Sequence, residues 1–371
     1  MTFEATFSII TDPRKNINLK HNLLDILFLV VTAILSNAEG WVDIEEFGKT
    51  KEDWLKKYRP FENGIPSHDT IARVISILDP ETLNQCFISW VNQIRQHQDL
   101  QIIAIDGKTL KHSYQSSTDK LSALHSVSAY ATEQGISLIQ KKSQAKKNEV
   151  KAVLDIIDEL QIKKTVITAD AMSCLDKVTD KIIKKGADYV LQLKDNQAIL
   201  LRETKAYFHK VRRDNPELIE KGQYTETTSD HGRIETRQCT QLLVTDWFDH
   251  TDNWNNLTSV IEIQRTRYNK TTDKETSETA YYISSLKIDP KLANTAVRQH
   301  WGIENSLHYV LDVTFKEDDS RIRLKNATEN MAILRRLALN LIKISDKKGS
   351  VKSILKQCAW NDEVRDLIVM G

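Results

Sequence analysis

Apolar residues along this chain repeat at one spacing up to about residue 95 and at another beyond Leu100. Leu23 to Leu35, LLDILFLVVTAIL, is apolar almost all round, which predicts a helix buried on every side. After Trp41 the segment DIEEFGKTKEDWLKKY is amphipathic, with its charge on one face. Ser67 precedes HDTIARVISIL and is a candidate N-cap, and Asp79-Pro80 opens a further helix through Trp90. Residues 1–96 therefore predict a helical N-terminal domain, with a boundary near Gln96 to Asp99.

From Leu100 the pattern turns to short β-branched runs: QIIAIDG, ALHSVSAYATEQGISLIQKKSQ, TVITADA and DYVLQLK. Gly135 fits a hairpin turn within the second run. NEVKAVLDIIDELQI and CLDKVTDKIIKKG are amphipathic helices, the latter stopped by Gly186. This order of elements predicts a mixed α/β sheet. From about Leu200 to Leu286 the chain is polar, Thr-rich and alternating, which predicts an antiparallel β-rich insertion at about 200–288. Helix returns at Pro290 with KLANTAVRQHWGIENSLHYVLDVTF and again with NATENMAILRRLALNLIKI, so one body spans 97–345 and residues 346–371 form a helical tail.

The chain has 371 residues, 40% hydrophobic and 28% charged, enough for two domains or one domain with a large insertion. Its cysteines, Cys86, Cys174, Cys239 and Cys358, are dispersed and form no CxxC pair, which suggests neither a disulfide framework nor a thiolate zinc site. A reducing cytosol fits that usage, so the expected location is cytoplasmic. The longest apolar run is too short to span a bilayer, and no membrane role is expected. Formal net charge is +1, so local clusters matter more than the balance. Lys141, Lys142, Lys146 and Lys147, Lys163 and Lys164, Lys184 and Lys185, Arg265 and Arg267, and Arg335 and Arg336 each read, taken singly, as a solvated face.

Three carboxylates carry the candidate chemistry. Asp106 and Asp170 end apolar strand-like runs, where open α/β sheets place their ligands. The plain alternative for each is a turn or a helix cap. Glu304 stands on a helix where His300, Glu304, His308 and Asp312 recur at i, i+4 and share one polar face, flanked by Trp301, Tyr309 and Phe315. An exposed, self-neutralised helix face is the alternative there, and zinc on the imidazoles is another. If the three carboxylates converge, their repulsion calls for Mg²⁺ or Mn²⁺, and two such ions support in-line phosphodiester displacement. Gly107 allows close backbone approach, and Lys108 is placed to neutralise a phosphate.

AIDGKTLKHS, ITADAMSC, DYVLQLKDNQ, HGRIETR, HWGIENSLHYVLDVTFKEDDSRIR and NATENMAILRRLALNLIK, in this order, resemble bacterial insertion-sequence transposases of the DDE class. The branch is the one that includes the H-repeat-associated proteins, and the resemblance covers nearly the whole chain. It implies an RNase H-like core, interrupted by a β-rich insertion and preceded by a helical domain, with Asp106, Asp170 and Glu304 as catalytic metal ligands. It also implies hydrolysis at terminal inverted repeats, transfer of 3′-hydroxyls to target DNA, and a homodimer or larger assembly on double-stranded DNA. The Tyr, Arg, Glu, Lys signature of related transposases matches in part, since Val297, His300 and Leu311 replace its Tyr, Arg and Lys. Arg298, His300, Trp301, His308, Lys316, Arg321 and Arg323 stand as candidate DNA contacts beside Lys108, with Trp301 either stacking on an unpaired base or packing the helix. The alternatives are a nuclease of the same fold that does not transpose, and a DNA-binding regulator acting through its N-terminal helices.

Overall fold

A computed structural model describes residues 3–14, 19–95, 99–113, 123–143, 149–230, 232–249 and 251–370. Lys146, Lys147 and the expected boundary at Gln96, His97 and Gln98 lie outside the described residues. Nine strands are described: β1 (Ile102–Thr109), β2 (His125–Ala131), β3 (Ile136–Ser143), β4 (Val166–Ala169), β5 (Asp188–Leu193), β6 (Gln223–Asp230), β7 (Arg233–Leu243), β8 (Ser259–Asn269) and β9 (Lys274–Ser284). The chain divides into two compact units, one of residues 1–96, 107–152 and 304–371, the other of residues 97–106 and 153–303.

In the first unit Leu23–Leu35 forms the helix expected from its all-round apolarity, and all but Leu24 of its residues are buried. Ser67 caps His68–Ile77 by accepting from Thr70 N, and Asp79 caps Pro80–Ile94 by accepting from Thr82 N. Gly135 turns the β2–β3 hairpin at φ +70°, where a Cβ would be strained. The helix Ala327–Ile344 packs against both Leu23–Leu35 and β3. Its Asn340 amide pairs with the backbone N and O of Ser137 at 2.9 and 2.7 Å, beside a register shift in the hairpin. The tail forms two helices, Val351–Trp360 and Asp362–Met370. It returns to the N-terminal helices, where Asp366 accepts from Trp54 Nε1 and Tyr58 Oη at 2.7 and 2.6 Å.

In the second unit β1, β4 and β5 are parallel, and the antiparallel β9, β8, β7 and β6 continue the sheet in that order. Glycine stops Asp176–Lys184 as expected, with Gly186 at φ +74°. The helix Pro290–Gly302 lays Ala293, Ala296 and Val297 on Ile102, Val166, Val190, Cys239, Ile261 and Ile263. That burial follows from a strand run of β-branched residues meeting the small-residue face of a helix.

Two expectations about elements are corrected. The span expected as β-rich from about Leu200 begins with helix, Ala198–Asp214 and Pro216–Lys221, and the strands start only at Gln223. Leu200, Thr204, Tyr207, Phe208 and Val211 lie on its buried face at helical spacing, a period that the polar composition masks. Arg335 and Arg336 are not a solvated face but are 3% and 0% exposed, because the buried Glu317 needs their charge. Among the described residues no helix is long and apolar enough to cross a membrane.

Candidate active site

Asp106 and Asp170 each follow, by one residue, the registered pair Ile105↔Ala169 on the parallel strands β1 and β4. Adjacent strands lie about 4.8 Å apart, so the register sets these two residues side by side where β4 ends, although β1 runs on through Asp106 to Thr109 and the strand end expected at Asp106 is not found. Asp170 also caps the short turn Ala171–Ser173, with its Oδ1 3.2 Å from Ser173 N. Capping and ligand-holding are compatible here, since the one donor fixes the direction of the carboxylate while the group stays at the strand end. The DNQ after β5 braces this loop: Asn196 Nδ2 donates to Ala171 O at 2.6 Å and Gln197 Nε2 to Cys174 O at 3.0 Å. These two residues stood inside a motif of the sequence without a role, and their only signal was polar side chains directly after a parallel strand. Burial, with Asp170 adding to it, pushes the Cys174 thiol up to about 12, so it stays protonated.

His300, near the end of Pro290–Gly302, places Nδ1 3.0 Å from Thr168 Oγ1 on β4. Trp301 is 47% exposed, with the Arg265 guanidinium 5.9 Å from its ring centre. Arg298 Nη1 pairs with Glu226 Oε1 at 2.7 Å. Lys108, Trp301 and Arg298 are thus engaged by protein groups, each in its own unit.

Directly after Gly302 the helix widens into a π-helical turn over Ile303–His308 before Tyr309–Val313 resumes. The extra residue in that turn interrupts the i, i+4 repeat expected to run on to Asp312, although Glu304 and His308 still meet. Glu304 is exposed and His308 is buried, with Nδ1 3.8 Å from Glu304 Oε2. Asp312 turns to Lys108 instead. Such turns occur often at functional sites, and nothing in residue spacing announces one.

Lys108, expected to meet a phosphate, is 8% exposed and its ammonium is committed to Asp312 and to Glu317 Oε2, the latter at 2.7 Å. Lys316 in the left-handed region, φ +53°, turns Glu317 inward, where Arg336 Nη1 also meets it at 3.1 Å. Burial opposes ionisation of Glu317, but Arg336, Lys108 and Arg335 outweigh it and hold the carboxyl down to about 2. Burial dominates at Asp312 and raises its pKa, although Lys108 opposes the shift. Beside this cluster Thr109 Oγ1 lies 2.8 Å from His125 Nδ1, and His125 Nε2 lies 3.4 Å from Glu149 Oε1. A Cβ on Gly107 would come within 1.6 Å of that same Glu149 oxygen, so any larger residue there displaces the Glu149 carboxylate.

Lys316, Arg321 and Arg323 line an open groove of about 770 Å³ in the first unit, together with Trp41 and the acidic Glu39, Asp43 and Asp319. Arg323 Nε also donates to His112 O at 3.0 Å.

Comparison with known proteins places these residues in a family. Residues 5–91 match the DDE_Tnp_1-associated profile and residues 97–341 the Transposase DDE domain. The H repeat-associated protein YhhI of Escherichia coli (strain K12) is 40% identical over 98% of this chain and 96% of its own. YbfL of the same strain is likewise 40% identical, over 98% and 96% of the two chains. The solved piggyBac transposase synaptic complex with hairpin DNA gives a TM-score of 0.45 at 10% identity, over 99% of this chain and 77% of that one. On the strength of the domain match and these near-full-length relatives, the chain belongs to the DDE transposases of bacterial insertion sequences, in the H-repeat-associated branch, with an RNase H-like mixed α/β core.

Proposed function

We propose that this chain cuts and rejoins DNA at the ends of its insertion sequence, with Asp106, Asp170 and Glu304 holding divalent metal, Mg²⁺ or Mn²⁺, as two ions. The observation that carries this reading is the register that sets Asp106 of β1 beside Asp170, the residue after β4, on neighbouring parallel strands, in a chain of the DDE family. Carboxylates one strand spacing apart repel each other unless a cation lies between them, and an all-oxygen donor set suits a hard one. When bound, the metal supplies an activated water or 3′-hydroxyl and stabilises the leaving oxygen.

The chain's own residues orient that set. Ser173 N–H directs the Asp170 carboxylate, Asn196 and Gln197 hold the loop behind it, and His300 pins the helix that runs on to Glu304. Lys316, Arg321 and Arg323 contact phosphates of the bound DNA, whereas Lys108 acts by holding Glu317 and Asp312. The DNA partners are a duplex bearing the terminal inverted repeats and the target duplex, bound by a dimer or larger assembly.

The test uses purified protein, a duplex taken from the DNA flanking the reading frame, and a target plasmid in Mg²⁺. The expected result is nicking at the repeat ends and joined product, both lost in Asp106→Asn, Asp170→Asn and Glu304→Gln. Undiminished joining by all three variants rejects the reading.

A further inference from the structure

The motif HGRIETR contributes Arg233, Glu235 and Arg237 to one face of β7, and the register sets Arg237 directly opposite Arg265 of β8 and Glu235 opposite Arg267. Like charges directly opposite on neighbouring strands are destabilising, so a pair of facing arginines asks for an explanation. The protein supplies only part of the counter-charge. Glu235 is shared, meeting Arg237 Nε and Arg267 Nε at 2.6 Å each, and Glu278 pairs with Arg265. Glu226 of β6, opposite Arg237, is taken up by Arg298, so Arg237, Arg265 and Arg267 share the two carboxylates of Glu235 and Glu278. Arg265 Nε is buried and has no hydrogen-bond partner among the described residues. Burial, then the neighbouring Arg267 and Arg237, push its pKa below the ordinary range.

The place of this face in the second unit matters as much as its charge. Arg265 lies against Trp301, the preceding residue, His300, meets Thr168 of β4, and Asp170 follows Thr168 by two residues, just past the end of that strand. One short chain of contacts thus links the arginines to a candidate metal-holding strand end. Arg267 is 43% exposed at the outer side, which gives an anion a way in.

We infer that Arg237, Arg265 and Arg267 form a phosphodiester subsite on the β insertion, which takes the backbone of the DNA strand that is to be cut. An incoming phosphate supplies the missing negative charge and an acceptor for Arg265 Nε, and guanidiniums suit it because they bind two phosphate oxygens at once. This inference rests on the proposed function for the identity of the anion.

The experiment is fluorescence anisotropy of a labelled 30-base-pair duplex with full-length protein, without Mg²⁺, over a series of NaCl concentrations. Each phosphate contact contributes about 0.9 to the slope of log K against log salt, so Arg265→Gln combined with Arg267→Gln lowers the slope by about one to two. Arg265→Lys keeps most of it. Glu235→Gln works in the opposite direction: it removes counter-charge, tightens binding and steepens the slope, an effect that misfolding cannot imitate. Wild-type slopes in both the arginine pair and Glu235→Gln overturn the subsite. If Mg²⁺-dependent nicking survives in the wild type while those slopes stay unchanged, the subsite alone fails. If the wild type neither binds nor nicks DNA, the proposed function fails with it.

Discussion

His300 Nδ1 lies 3.0 Å from Thr168 Oγ1, which ties the helix running on to Glu304 to the strand that ends at Asp170. A hydrogen bond of this kind contributes about 1 kcal/mol to stability, yet misplacing a reacting group by an ångström costs far more in rate. His300→Ala is expected to lower melting only slightly while slowing DNA nicking by tenfold to a hundredfold, and His300→Gln, which can still reach Thr168, recovers part of the loss. A rate that falls only in step with thermal stability contradicts the positioning role.

Lys108 is expected to behave as a buried charge and not as a phosphate contact. Removing one partner of a buried pair costs about 3–5 kcal/mol, so Lys108→Met is strongly destabilising in chemical denaturation, with no change in the salt slope of DNA binding at a temperature where it is folded. The Glu317 carboxyl adds a pH signature. Its folded value is depressed from 4.5 to about 2, so its contribution is fully present above about pH 4.5 and is lost as pH falls toward 2. Wild-type stability should decline across that window, and Lys108→Met should show a smaller decline. Equal declines remove Lys108 from the cluster's energetics.

Gly107 and Glu149 compete for one position. Gly107→Ala pushes its Cβ into Glu149 Oε1, so the buried carboxylate must leave His125, at a cost of about 1–3 kcal/mol. Glu149→Ala makes room, and a double-mutant cycle measured by denaturation should give a coupling of about 1 kcal/mol or more. Strictly additive losses mean that the two residues do not meet.

Asn196 braces the loop after Asp170 through a donor that Asp cannot supply. Asn196→Asp, nearly isosteric, should lose about as much nicking activity as Asn196→Ala, several-fold in each case, while the melting temperature moves little. Full activity in Asn196→Asp shows that the loop holds its shape without the bond.

Much of the fold is legible because its local rules agree. Ser67 and Asp79 cap, Gly135 and Gly186 take positive φ, and the apolar run from Leu23 is buried where its composition puts it. Three features escape residue spacing for physical reasons. The helix Ala198–Asp214 hides in a polar, charged stretch because only its narrow buried face is apolar. The π turn at Ile303–His308 inserts one residue into a regular repeat, and Asp312 beyond it pairs with Lys108. Lys108 and Arg336 look like solvent charges until the fold brings Glu317 between them, a contact across 209 residues for Lys108. The candidate carboxylates stand out in the sequence only as strand ends and a helix position, and the register of β1 with β4 is a relation that no local pattern contains.

The central claim is that Asp106, Asp170 and Glu304 act together on a divalent ion. Titration of Mn²⁺ into the full-length protein, followed by the loss of the free-ion paramagnetic resonance signal, tests it most directly. The account predicts that the wild type binds Mn²⁺ and that Asp106→Asn, Asp170→Asn and Glu304→Gln each weaken binding at least about tenfold while remaining folded. Wild-type Mn²⁺ affinity in all three variants contradicts it.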